Sequence, residues 1–484
     1  MTPAATPRII PRSEHTISRS HISPNALRVL NRLHEGGFQG FLVGGCVRDL
    51  LLGLEPKDFD VATDALPEEV KRLFRNCRLV GRRFRLAHVF FGRDIIEVAT
   101  FRAASAPSQG EEPLPEADPE DGEAPELDDP QLVDAESAPP QPPTAPQRDN
   151  PEVMFDASGR ILRDNVYGTI DEDVWRRDFT VNALYYNIAD FSVWDYVGGM
   201  QDVATRTLRL IGDPETRFRE DPVRMLRAAR FEAKLGFQIE PATAKPIAPL
   251  RHLLAGVPPA RLFDETLKLF LTGHGAPSFE VLRRRGLLAA LLPTVDAYFS
   301  SHPGSLVEKL LLQGLKNTDA RVLADKPVTP TFLFALLLYG PIAGIIETAP
   351  PERWHELGTI LEACDRATRE AQARLAIPRR FSLGVREMFA LQPRLEHPRG
   401  RRALRLLDQP RFRAAYDLLL LRAEHGLAPA DVAQWWTRVQ QASQEERGRM
   451  ADALKGEGAP PQGPRRGGRG GRGRRRRPRA SAPA

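Results

Sequence analysis

The 484-residue chain carries 68 Lys and Arg against 63 Asp and Glu, a net charge of +5 that conceals a strong segregation along its length. It exceeds what one hydrophobic core usually organises, so two or three folded units are expected. Its three cysteines, Cys46, Cys77 and Cys364, lie far apart without metal-ligand spacing, which argues against a disulfide framework or zinc site and for a reducing, cytoplasmic setting.

The first residues, "MTPAATPRIIPRSEHTISRSH", lack the apolar core of a signal peptide, so 1–22 are read as an N-terminal extension. The most apolar run, "FLFALLLYGPIAGII" from Phe332, is short and broken by Gly-Pro, so no membrane span is expected. From 23 to 210 short apolar runs alternate with turns ("FLVGG", "DFDVAT", "FRLAHVFFG", "DIIEVATF", "TVNALYYNI"), the pattern of an α/β head. After Asp213 the period becomes helical, as in "DPVRMLRAARFEAKLG", "PPARLFDETLKLFLTG" and "RFRAAYDLLLLRAEHG", giving a helical neck (211–275) and body (276–455).

Two segments read as disordered. Residues 104–150, inside the head, hold about a dozen acidic residues and many prolines with almost no aromatics, a composition that cannot bury a core. This acidic loop is expected to compete with polyanions for the basic tail or groove at low salt. Residues 456–484 alternate Gly and Arg, and Arg474, Arg475, Arg476 and Arg477 make this tail an electrostatic arm for polyanions.

The chemistry concentrates in "FLVGGCVRDLLLGLEPKDFDVATDA", residues 41–65. An apolar strand ends at Gly44-Gly45, where backbone can approach a ligand, and a short helix closed by Gly53 follows, with Arg48 available to phosphate. Ordinary turn glycines are the competing reading. The strand "DFDVAT" puts Asp58 and Asp60 on one face, hard oxygen ligands that suit Mg²⁺. A solvated Asp pair is the alternative. Glu97, in the apolar strand "DIIEVATFR", is the candidate third carboxylate; an ion pair with Arg102 is the other arrangement, and Asp178 the other candidate. Asp221 and Arg224, three positions apart, are expected to share a helix face and offer an acceptor and a donor fork. Arg261 and Glu265 are expected to brace the neck, and Gly198-Gly199 to serve as hinge or turn.

Taken in order, "LVGGCVRDLLLG…DFDVAT", "RRDFTVNAL" and "EDPVRMLRAARF" resemble the class II nucleotidyltransferases, which comprise tRNA CCA-adding enzymes and bacterial poly(A) polymerases. The likeness runs from about Ile17 to about Trp436, omitting the acidic insertion and the tail. It implies a polymerase-β-like mixed sheet with helices in the head, followed by all-α neck and body. It also implies that Gly44, Gly45 and Arg48 bind triphosphate and that Asp58 and Asp60 hold two Mg²⁺, Mn²⁺ serving in their place. Arg177, Asp178 and Asn182 hold the ribose, and Asp221 with Arg224 selects the base without a template. An ion pair of Asp178 with Arg176 or Arg177 is the structural alternative.

Within that group, "RRFRLAH" resembles the poly(A) polymerases, with Arg82, Arg83 and Arg85 available to RNA and His88 read as a hydrogen-bonding or core residue. The absence of a His-Asp phosphohydrolase dyad and the Arg-rich tail lean the same way. The expectation is an ATP-using enzyme that adds AMP to RNA 3′ ends; a CCA-adding enzyme and a non-catalytic RNA-binding adaptor are the alternatives. RNA-degradation factors and an RNA chaperone are expected partners, and a monomer the expected state. The sequence departs from the family at Cys46, where a third glycine is common, and in the insertion after Arg102.

Overall fold

The computed structural model describes residues 6–81, 85–103 and 167–454, with the backbone of 154–155 and 161–163. Arg82, Arg83, the acidic segment 104–150 and the tail arginines Arg474, Arg475, Arg476 and Arg477 lie outside the described residues. The chain divides into two compact units, one of Met1–Trp354 with Gly358–Arg386 and one of His355–Leu357 with Glu387–Ala484. The division therefore falls well beyond the 275/276 boundary drawn from the sequence.

The first unit opens with strand β1 (Arg8–Ile10), then helix α1 (Pro24–Glu35), β2 (Gly40–Val43), α2 (Gly45–Leu51), β3 (Asp60–Thr63), α3 (Pro67–Leu73), β4 (Cys77–Val80), β5 (Leu86–Phe91) and β6 (Asp94–Thr100). A small hairpin, β7 (Met154–Phe155) with β8 (Ile161–Arg163), precedes α4 (Ile170–Arg176), β9 (Leu184–Asn187), β10 (Val193–Asp195) and α5 (Gly199–Ala204). An eight-stranded sheet forms in the order β1-β10-β9-β2-β3-β6-β5-β4. Its neighbours are antiparallel except β3 and β6, so it is the expected mixed sheet.

Alternation fixes the two faces. Phe41 and Val43 from β2, Ala62 from β3 and Tyr185 from β9 share a core with Phe101, Val174 and Ile211, while the apolar stripe of α1 (Ala26, Val29, Leu30, Leu33) is buried where that helix packs on β2, β3 and β6. Register pairs Val43 with both Asp60 and Tyr185, so Asp60 starts β3 on the same face as these residues.

One segment differs from its expected form. "TVNALYYNI" begins as a 3₁₀ turn, Thr180–Asn182, and becomes strand only at Leu184, because the Thr180 amide bonds the Arg209 carbonyl outside the sheet. Gly198-Gly199 forms a turn: Asp195 accepts from the amides of Val197, Gly198, Gly199 and Met200, and a Cβ on Gly199 would lie 2.4 Å from the Thr180 carbonyl oxygen.

Short strands β11 (Thr207–Leu208) and β12 (Gln238–Ile239) pair in parallel around helices α6 (Pro214–Glu220) and α7 (Val223–Leu235). Helices Pro259–Phe270, Gly275–Arg284 and Leu306–Leu323 continue the unit. The apolar run from Phe332 folds as Pro330–Leu337 and Tyr339–Glu347, bent by 43°; among the described residues no single helix is long and apolar enough to cross a membrane. In the second unit, helices Phe412–Glu424 and Ala430–Gln441 bury Trp436, whose indole N–H donates to the Leu395 carbonyl at 2.8 Å.

Candidate active site

A cleft of about 1050 Å³ opens in the first unit, floored by Gly44, Gly45, Asp58 and Asp60 at the edge of the sheet and walled by Asp221, Arg224, Arg227, Phe231 and Arg261 on the helical side. It gathers side chains more than two hundred positions apart. Gly44 has φ +75° and ψ −135°, a conformation that L side chains rarely adopt, which lets β2 turn directly into α2. Space is not what demands glycine there, since a Cβ would sit 3.6 Å from Arg177 Nη1 and 3.8 Å from Asp60 Oδ2.

Asp60 stands at the head of β3, and Asp58 precedes the strand rather than lying within it. Glu97 is the register partner of Asp60 on parallel β6, so both project from one face. It is 51 % exposed with His88 Nε2 at 3.6 Å, not a charge trapped in an apolar strand and not an Arg102 pair. The Asp60 carboxylate faces the open cleft yet is hemmed by protein. Burial, then Glu97 and Asp58, push its pKa up to about 6 against the opposing pull of Arg177.

Among the described residues no side chain or amide donates a hydrogen bond to Asp58 or Asp60, and no three His, Cys, Asp or Glu side chains are arranged as a ready-made metal cage. Crowded carboxylates without protein donors fit a divalent cation as hard oxygen ligands, with water and substrate supplying the remaining positions.

Arg48 is held by partners that the sequence did not suggest. It is 2 % exposed, and its guanidinium is committed to Asp49 Oδ1 (2.9 and 2.7 Å) and to Asn182 Oδ1 (2.5 Å), with Phe231 beneath it. These bonds brace α2 and hold the guanidinium in the lining of the cleft, beneath the Gly45 backbone. Arg177 stands nearest to Gly44, donating to Tyr185 Oη (2.8 Å), Asp173 Oδ2 (3.1 Å) and the Asn182 carbonyl (3.3 Å).

Asp178 is paired with neither Arg176 nor Arg177. Arg227 grips it through Nε (2.7 Å) and Nη2 (2.6 Å), and the Phe179 amide adds a third bond. Burial opposes its charge, but Arg227 outweighs it and holds the carboxyl below the usual range. So satisfied a group is a poor third metal ligand, which leaves Glu97 the better candidate.

Asp221 and Arg224 do not share one helix. Asp221, forced to extended backbone by Pro222 (φ −143°, ψ 96°), caps α6, whereas Arg224 lies in the first turn of α7. Both still line the cleft. Arg261, expected to brace Glu265, instead holds Asp221 Oδ2 at 2.8 Å, while buried Glu265 takes Lys268. Arg224 is aimed by the Arg217 carbonyl (2.8 Å) and Glu220 (3.2 Å).

Arg85 lies outside the cleft, paired with Glu68. Cys46 is buried, donates to the Val43 carbonyl, and has its pKa pushed up to about 12 by burial and by Asp60, so it is not a reactive thiol. Sequence reasoning missed Arg227, Lys57 and Lys234, and gave Arg261 a bracing part away from the cleft. The spacing of Arg224, Arg227, Phe231 and Lys234 marks one face of α7 and could have flagged two of them; nothing local ties Arg261 to Asp221.

Three family models match the chain: "Poly A polymerase head domain" over residues 40–209, "Probable RNA and SrmB- binding site of polymerase A" over 236–299, and "Polymerase A arginine-rich C-terminus" over 352–481. Poly(A) polymerase I of Salmonella typhi is 45% identical over 457 residues, covering 93% of this chain and 90% of that one. A CCA-adding enzyme of Bacillus pumilus is 34% identical but covers only 53% of this chain and 52% of its own. A solved Thermotoga maritima CCA-adding enzyme bound to tRNA shares the fold at 19% identity, TM-score 0.53, over 93% of this chain and 96% of that one. The chain belongs to the bacterial poly(A) polymerase I family.

Proposed function

We propose that the chain is a template-independent poly(A) polymerase that transfers AMP from ATP to RNA 3′ ends. One observation carries the reading: the glycine floor, two carboxylates without donors and the Asp221–Arg224 pair converge on one cleft, in a chain 45% identical to a poly(A) polymerase I along nearly its whole length. The RNA 3′ oxygen attacks the α-phosphorus of ATP, the bond to the bridging oxygen breaks, and pyrophosphate leaves with the electron pair while the hydroxyl proton passes to water.

Asp58 and Asp60, assisted by Glu97, are the residues that would hold two Mg²⁺, with Mn²⁺ as substitute. Bound there, such ions lower the pKa of the attacking hydroxyl and neutralise the leaving group. The Gly44-Gly45 backbone admits the triphosphate beside Arg177, and Arg48 with Asn182 keeps that floor in place. Asp178, fixed by Arg227, faces the ribose. Asp221 accepts from and Arg224 donates to the adenine edge, both pre-aimed by Arg261, Glu220 and the Arg217 carbonyl. Positioning and charge stabilisation therefore do most of the catalysis.

Arg82, Arg83, Arg85, Arg474, Arg475, Arg476 and Arg477 are proposed RNA contacts, residues 211–275 the nucleotide-facing neck, and 276–455 the RNA-binding body. RNA-degradation factors and an RNA chaperone are the proposed partners, consistent with 3′ adenylation as a mark for decay. The test extends an unstructured RNA and a tRNA lacking CCA with each nucleoside triphosphate, alongside Asp58→Ala. Long ATP-only ladders on the unstructured RNA, lost in the variant, are expected. Addition of C then A to tRNA alone would replace this reading with the CCA-adding one, and no incorporation would leave an RNA-binding adaptor.

A further inference from the structure

Helix α7 runs along the cleft and acts as a ruler. Arg224, Arg227, Phe231 and Lys234 share the face that lines the cavity, at successive spacings of three, four and three. Each position meets a different part of the floor. Arg224 stands at the Asp221 end, Arg227 grips Asp178, and Phe231 underlies Arg48, which lies beneath the Gly45 backbone. Lys234 comes one turn further, about 15 Å along the axis from Arg224 at 1.5 Å per residue.

Opposite that far end the cleft is lined by Lys57, from the loop before Asp58, and by His274. Neither lysine has an ion pair or hydrogen bond among the described residues. Both nearby carboxylates are committed: Asp49 accepts two bonds from Arg48, and Asp319 accepts from the amides of Gly275 and Ala276. Glu55 and Asp58, on either side of Lys57 in the chain, are the other acids of the lining at this end. Arg230, one turn before Lys234, buries an Nε with no acceptor.

Burial, with Arg48, Arg230 and Lys57 outweighing Asp49, pulls the Lys234 pKa below its ordinary value, and burial with Lys234 and Lys57 lowers that of His274. Two lysines that form no ion pair among the described residues, beside Arg48 and Arg230 and with the nearest acids already committed or turned to the cation site, make an anion site of this end of the cleft.

We infer that Lys57 and Lys234, with His274 as a neutral donor, clamp the β- and γ-phosphates of the incoming nucleotide and then the departing pyrophosphate. The order along α7 sets the assignment: base at Arg224, ribose at Asp178 and Arg227, α-phosphate over Gly44-Gly45, and the remaining phosphates one turn on. As the bond from the α-phosphorus to the bridging oxygen breaks, the charge that develops on the leaving diphosphate meets two ammonium groups already in place. The assignment rests on the cleft being an ATP site.

The experiment compares equilibrium binding of ATP, AMP and pyrophosphate by the full chain and by Lys57→Gln, Lys234→Gln, Lys57→Arg and Lys234→Arg, with RNA affinity measured in parallel. Neither lysine belongs to the buried core and neither has a partner to lose among the described residues, so the folds should survive, and circular dichroism checks that. Each Gln variant should bind ATP and pyrophosphate about tenfold more weakly with AMP and RNA unchanged, and the Arg variants should restore most of the loss. Weakened RNA with unchanged ATP would overturn the assignment in favour of a primer phosphate, and variants that bind all four ligands like the parent would leave the lysines without this ligand. A parent chain that binds no ATP would instead sink the ATP-site reading itself.

Discussion

The two walls of the cleft treat their carboxylates in opposite ways. On the sheet side Asp58 and Asp60 crowd together near Glu97 with no protein donor, and Asp60 is driven toward protonation. On the helical side Asp178 and Asp221 each meet an arginine, Arg227 and Arg261, at 2.6 to 2.8 Å. An acid left unsatisfied in a polar cleft is set to receive a cation, whereas an acid gripped by arginine is set to hold a shape. The difference separates the chemistry of the site from its recognition.

The largest effect that would sharpen this contrast is on activity. Asp60→Ala should lower AMP incorporation about a thousandfold while leaving the unfolding midpoint unchanged or raised, since it removes like-charge repulsion. Asp178→Ala should act on stability as well, by about 2–3 kcal/mol in urea unfolding; that is less than a fully buried pair because Arg227 remains 34 % exposed. If Asp60→Ala destabilised the fold more than Asp178→Ala, the contrast would be broken.

Next comes selectivity. Arg261→Ala releases Asp221 Oδ2, so discrimination of ATP against CTP should fall about tenfold in competition assays, with metal dependence intact. Unchanged discrimination would make Arg261 a brace only.

The pH dependence follows in size. The folded pKa of Asp60 stands near 6, above the ordinary 3.8, so the folded state favours its proton. The sign is then fixed: this group's contribution to the stability of metal-free protein is greatest below about 4 and is lost as pH rises through about 6. Divalent affinity runs the other way, falling about tenfold per pH unit below about 6 because the cation must displace the proton. A Mn²⁺ titration across that range reads it directly.

The smallest effect concerns Cys46, whose buried thiol with a pKa near 12 should resist alkylation at pH 7.5 and leave activity untouched. Rapid inactivation there would place the thiol in the open cleft.

Much of this was legible from short-range signals. Alternation in "FLVGG" and "DFDVAT", the glycine at the strand-to-helix turn and the change to helical period after Asp213 are local properties, and an α/β head with a helical continuation follows from them; the mixed sheet came from the family resemblance. What the sequence hid is long-range satisfaction. Nothing near Arg48 in the sequence announces that Asn182, 134 positions away, takes its Nη1 donor. Arg261 reads as a helix brace until Asp221, 40 positions back, is found across the cleft. The helix break at Asp221 was different: Pro222 announces it, because the residue before proline avoids helical backbone.

The most direct test of the central claim is Mn²⁺ binding without nucleotide to the parent chain, Asp60→Asn and Asp178→Asn, read from the signal of free Mn²⁺. The account predicts that Asp60→Asn loses the binding and Asp178→Asn keeps it. Loss in Asp178→Asn with retention in Asp60→Asn would place the cation on the wall assigned to recognition and contradict the division drawn here.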